Sequence, residues 1–247
     1  MLTVDLVLSS GFLAFGNQAG FLAGVEQSNV TVRGLCGTSS GALAGALWAA
    51  GMHADDILHL LTDRPPLATV HPHLRFWRGL LSAQPLVDEL RQHLPPRFED
   101  LDRPFAVGVV DRLWRHHTLR TGPLPEAVAA SCAMPFVFQR VLVDGRAYAD
   151  GGAAQRMPLD QWRAWYGTEI PTVAHVVDRS HGARERPISP DVVVVRTPRS
   201  GGQFWNLGPF LDRFEQARAR TKQALNRLDE RSRTGDADEA TKGTDSR

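Results

Sequence analysis

An excess of charge, cysteine and a basic leader are what this 247-residue sequence lacks. Its 28 basic and 27 acidic residues leave a formal charge of +1. That is no field for gathering a polyanion, so nucleic-acid binding is a poor first reading. The two cysteines, Cys36 and Cys132, each sit in an apolar stretch and read as small buried hydrophobes rather than a disulfide framework, which suits a reducing compartment. Residues 4–25 are rich in apolar side chains, yet no basic segment precedes them and Asp5, Asn17 and Gln18 interrupt them. Their several glycines read as loop punctuation, so neither a signal peptide nor a transmembrane span is expected. The expected location is cytoplasmic. Trp114-Arg115-His116-His117 invites a metal reading, but neighbours on a strand face opposite ways, so neither a metal nor a cofactor is expected.

What is present is the pattern of one large layered domain, 43% apolar and 22% charged. Strands are expected at residues 3–8, 30–36, 105–110, 114–119, 170–177 and 191–196, the last apolar enough for a central strand. A hairpin over residues 141–150 turns at Gly145. Helical spacing marks residues 16–27, 40–50, 54–62, 84–94, 123–131 and 211–228. The proline-rich and aromatic segment 64–77 reads as a loop or lid. Residues 229–247 are polar enough to read as a disordered tail on a single domain, 1–228. Strands alternating with helices imply a three-layer α/β/α fold with a mainly parallel central sheet.

Gly37-Thr38-Ser39-Ser40-Gly41 fits the G-x-S-x-G pattern, in which glycines allow a sharp strand-to-helix turn and expose the central hydroxyl. An apolar strand ends just before it and an Ala-rich helix starts just after it, so Ser39 is the candidate nucleophile. The start of that helix also brings N–H groups and the positive end of a dipole near Ser39. A serine hydroxyl needs a base. Nine histidines are available, and His175 or His181 after Asp150 would complete a Ser-acid-His order. Only two strands fit before Ser39, which speaks against an α/β-hydrolase.

Four segments resemble the patatin-like phospholipases. They are the elbow running into Ala42-Leu43, Ala130 to Phe138, Phe98-Glu99-Asp100-Leu101 through Val110-Asp111, and Asp144 through Asp150-Gly151-Gly152 to Met157-Pro158. The resemblance implies a patatin-like fold and a Ser-Asp dyad, in which Asp150 takes the proton of Ser39 and no histidine is required. A dehydrated pocket would raise the basicity of that carboxylate. Gly151 and Gly152 then belong to the catalytic loop.

The family carries a loop of three glycines after its first strand, followed by a basic residue, whose N–H groups hold the oxyanion. Here the matching loop is Ser9-Ser10-Gly11-Phe12, with one glycine of the triplet and no Arg or Lys following. Backbone N–H groups of Ser10, Gly11 and Phe12 are the expected donors. The implied activity is hydrolysis of lipid esters through an acyl-enzyme. The alternatives are a patatin-like lipid-binding or regulatory protein without turnover, and a Ser-His-Asp hydrolase. The expected partners are an acyl-ester substrate and, through helix 211–228 with its Arg and Lys residues, a peripheral contact with an anionic membrane surface.

Overall fold

The computed structural model describes residues 1–63, 81–179, 187–203 and 205–242, and the side chains of the last helix as far as residue 233. The expected loop or lid at 64–77 lies outside the described residues.

The chain opens strand, helix, strand, helix: β1 (Leu2–Leu8), α1 (Phe15–Glu26), β2 (Val30–Thr38) and α2 (Ser40–Ala49). Then come α3 (Ala54–Thr62), α4 (Gln84–His93), β3 (Phe105–Val110), β4 (His116–Leu119) and α5 (Leu124–Cys132). Strands β5 (Val141–Val143) and β6 (Arg146–Asp150) form the hairpin, followed by α6 (Leu159–Tyr166), β7 (Thr172–Val177), β8 (Val193–Thr197) and α7 (Phe210–Lys242). The sheet order is β5-β6-β3-β2-β1-β7-β8, with β4 on β3. The five strands β3, β2, β1, β7 and β8 run parallel, and β4, β5 and β6 are antiparallel. The α/β fold with a mainly parallel sheet is therefore as expected.

Alternation along the strands sorts the core onto two faces. Val4, Leu6, Leu8, Leu35, Phe105, Val107 and Val109 pack in a large cluster under α1, α2 and α5, whereas Val7, Cys36, Ala106 and Ala174 pack under Leu159 and Trp162 of α6. Asp5 is buried near that second cluster because Arg33 and the Trp162 indole both donate to its carboxylate.

Two expectations are corrected. Among the described residues the run at 191–196 is an edge strand, β8, paired only with β7. Val193 and Val195 pack on one face and Val194 on the other, so both faces are covered and hydropathy cannot distinguish it from a central strand. Gly16, Gly20 and Gly24 are not loop punctuation: they lie inside α1, where any Cβ would strike the backbone or side chains of α7 around Phe210, Phe214 and Thr221. That close approach engages the apolar stripe of α7, with Phe214, Ala217 and Leu225 buried. Helix α7 itself continues past 228 to Lys242, through a polar stretch carrying an Arg233–Asp229 ion pair one turn apart.

Candidate active site

The topology brings two distant segments together at one edge of β3. Strand β2 pairs with residues 105–108 of β3 and ends with Thr38 opposite Gly108. Strand β4 occupies the other edge, pairing with residues 107–110. The hairpin strand β6 therefore takes over the edge that β2 leaves, placing Asp150 opposite Val109. As β2 hands over to Ser39, β6 arrives with Asp150.

Ser39 sits between β2 and α2 at φ 53° and ψ −124°, a backbone conformation that an L-residue pays to adopt. Its N–H donates to Ser131 Oγ at 2.8 Å, and that hydroxyl donates to the Gly108 carbonyl at 2.7 Å. Ser131 thus ties α5, the elbow and β3 together. It was not singled out from sequence, where it is one polar residue within the Ala130 to Phe138 segment. A Cβ at Gly37 would lie 2.6 Å from the Gly41 backbone, and one at Gly41 the same distance from the Leu8 carbonyl. Both motif glycines are contact points between chain segments.

The Asp150 carboxylate is buried, accepts the Gly152 N–H at 2.7 Å, and lies near enough to the Ser39 hydroxyl to feel it. Burial pushes its pKa up to about 6, against the opposing pull of the Ser39 hydroxyl, the Gly152 N–H and the Arg179 charge. Gly151 approaches the Gly108 backbone, and a Cβ at Gly152 would meet the Ser10 side chain at 2.7 Å. Gly151 and Gly152 therefore let the turn after β6 close on both β3 and the loop after β1.

That loop is held from behind. Its expected donors need one correction, because the Ser10 N–H already donates to the Arg156 carbonyl at 2.9 Å. In return the Arg156 guanidinium donates to the Ser10 carbonyl at 2.8 Å and to the Val177 carbonyl. Across a trans peptide the C=O and the following N–H point in opposite directions. With the Ser10 carbonyl drawn towards Arg156, the Gly11 N–H points the other way, and Ser10, Gly11, Phe12, Ser39 and Asp150 all line one cavity. The Phe12 carbonyl accepts from Ser200 Oγ at 2.6 Å. Arg179 donates to Ser10 Oγ at 3.3 Å and to the Gly152 carbonyl at 3.2 Å, bridging this loop to the Asp150 turn. Arg156, Arg179 and Ser200 escaped the sequence reading because each is remote along the chain from the loop it supports.

His175 is not beside Ser39 as a base. Its ring nitrogens meet Gln18 Oε1 at 2.8 Å and Thr197 Oγ1 at 3.0 Å, its ring stacks on Phe21, and burial lowers its pKa to about 3. That removes it from the Ser-His-Asp reading, while His181 lies outside the described residues. Among the described residues no cluster of three or more His, Cys, Asp or Glu side chains is arranged to hold a metal. The cavity measures about 1330 Å³, above the roughly 300–1,000 Å³ of drug-sized sites. Leu43, Leu47, Leu60, Leu86, Leu90 and Phe138 supply much of its wall.

The sequence profile of the patatin-like phospholipases matches residues 6–162, which contain the elbow, the loop after β1 and the Asp150 turn. The chain belongs to the patatin-like phospholipase family. Among curated proteins it is similar to uncharacterized NTE family proteins of Mycobacterium bovis and Mycobacterium tuberculosis, 32% identical over 161 residues. That match covers 63% of this chain and 44% of theirs, so the chain spans less than half the length of these relatives. Among solved structures it is similar in fold to VipD from Legionella pneumophila (TM-score 0.54, 13% identity, 91% of this chain and 66% of that one). It is similar also to the type III effector ExoU (TM-score 0.52, 14% identity, 90% of this chain and 53% of that one). Within the patatin-like frame, the departure at Ser9-Ser10-Gly11-Phe12 is accompanied by arginines that reach the loop from beyond the Asp-Gly-Gly turn and from the end of β7.

Proposed function

We propose that this chain is a serine acyl-hydrolase that cleaves ester bonds of lipids through a Ser39–Asp150 dyad. The observation that carries the reading is the meeting of Ser39 with a buried carboxylate, raised to about 6, at the wall of a large, mostly apolar cavity. Such a carboxylate is ionised at neutral pH yet more basic than an exposed aspartate, as a general base requires. Family membership supports the substrate class.

In the proposed mechanism Asp150 takes the hydroxyl proton as Ser39 Oγ bonds to the ester carbonyl carbon. The carbonyl oxygen, now an anion, is received by the Gly11 N–H and by the Phe12 peptide on the same turn, with the dipole of α2 assisting. Collapse of the tetrahedral centre breaks the bond to the alcohol oxygen, which leaves with the proton held by Asp150. Water then repeats the sequence on the acyl-enzyme, giving its proton to Asp150, and the fatty acid departs as Ser39 is reprotonated. The apolar wall is suited to an acyl chain. No helix among the described residues is long and apolar enough to cross a membrane.

A fluorophosphonate probe tests the proposal directly. Wild type labels at Ser39, Ser39→Ala does not, and Asp150→Asn labels at least about a thousandfold more slowly, as expected when an activating partner is lost. A folded wild type that binds lipid but resists the probe would instead favour a lipid-binding protein without turnover, a reading suggested by the diversion of the Ser10 N–H to Arg156.

A further inference from the structure

Outside the site, two loops distant in sequence present an aromatic pair to solvent. Trp114, in the β3–β4 turn, and Phe136, after α5, have ring centroids 6.0 Å apart and are 45% and 82% exposed; the adjacent Leu113 is 67% exposed. Both aromatics hold positive φ, 60° at Trp114 and 70° at Phe136, a region that suits glycine and that a bulky L-residue enters only against a conformational penalty. Strain accepted in order to display two rings to water points to a surface with a use.

Charge surrounds the pair. The Arg140 guanidinium lies 5.7 Å from the Trp114 ring centroid and is anchored by donating to the carbonyls of Val110 and Asp111. Arg112 and Arg115 are exposed on the same turn as Trp114, with Arg112 near enough for its charge to act on Arg140. The one carboxylate of this turn, Asp111, is engaged internally by the N–H groups of Leu113 and Arg115 and by His117 at 2.9 Å. Phe136 also stands between residues of the cavity wall, since Met134, Pro135 and Phe138 line it.

We propose that Leu113, Trp114 and Phe136, ringed by Arg112, Arg115 and Arg140, are a docking surface for an anionic lipid bilayer. The rings would seat at headgroup level and the guanidinium groups against lipid phosphates, beside the cavity wall. The choice of a bilayer over a protein partner follows from the union of aromatic and cationic groups and their place next to the cavity, and so rests on the lipid-ester reading above.

The test measures binding rather than turnover: sedimentation of the full chain with phosphatidylglycerol vesicles, and separately with phosphatidylcholine vesicles. Wild type is expected to prefer phosphatidylglycerol and to weaken as salt rises. The double variant Trp114→Gly with Phe136→Gly is expected to bind about a hundredfold more weakly, roughly tenfold for each ring. Its melting temperature should be unchanged or higher, because glycine occupies both positions without strain. A wild type that ignores both vesicles, or a double variant that binds like wild type, overturns the proposal. Equal binding to both lipids, unaffected by salt, overturns the role given to the arginines. Fluorophosphonate labelling without vesicles is read in parallel, so a chain that docks but does not label would sink the hydrolase reading alone.

Discussion

The two turns that converge on Ser39 are built in opposite ways. The elbow is specified mainly by its own residues: Gly37 and Gly41 permit its contacts and Ser39 takes the strained conformation, with Ser131 and Cys132 reaching in from α5. The loop after β1 is specified remotely, by Arg156, Arg179 and Ser200, each more than a hundred residues away in the sequence. Under the proposed mechanism both must hold still, one to aim an oxygen and the other to receive one. A motif therefore survives in the first turn, while the second can change its residues as long as something else orients its peptides.

Replacing Arg156 with Met should break the second turn and spare the first. Freed of its clamp, the Ser10–Gly11 peptide loses its orientation, and kcat should drop about a hundredfold to a thousandfold with KM little changed, the size of effect known for a lost oxyanion donor. Arg156→Lys keeps the charge but not the planar fork and should recover little of that loss. A KM rise with constant kcat would contradict the orienting role.

A second, smaller effect concerns what the Ser39–Asp150 arrangement takes from the fold. Because the folded pKa of Asp150 lies above the ordinary carboxylate value, the folded state binds more protons than the unfolded chain between about pH 4 and pH 6. Stability then falls as pH rises through that window. At pH 7 the buried anion costs up to about 3 kcal/mol, so Asp150→Asn should be more stable than wild type there and lose that advantage towards pH 4, by denaturant unfolding at both pH values. In wild type, kcat/KM should climb with pH through about 6 as the base ionises.

The smallest effect links the two turns. Arg179 bonds the loop through Ser10 Oγ, and its charge lowers the Asp150 pKa. Arg179→Gln should move the pH midpoint of kcat/KM upward by a fraction of a unit. A downward move would mean that Arg179 does not act on Asp150 by charge.

Most of the framework was legible because hydropathy and glycine punctuation act over short spans. The ranges of α3 and β3, the Gly145 hairpin and the elbow all follow from neighbouring residues. What escaped depends on partners far along the chain. The edge position of β8 is hidden by burial on both its faces, and the glycines of α1 have meaning only against α7. In the site, Ser39 and Asp150 stand out by motif, whereas the Ser10 N–H looked available until Arg156 occupied it. No local pattern announces a carbonyl and a guanidinium arriving together from the loop beyond the Asp150 turn.

The shared edge of β3 also sets the order of events during synthesis. Ser39 and its elbow leave the ribosome early, while Asp150 follows more than a hundred residues later and takes its place only when β6 occupies the stretch of β3 beyond β2. Under the proposed mechanism a nascent chain would thus carry a nucleophile without a base. Its capacity to attack esters would be acquired late, once the hairpin is seated, and the same seam would keep a partly made protein harmless to the lipids around it.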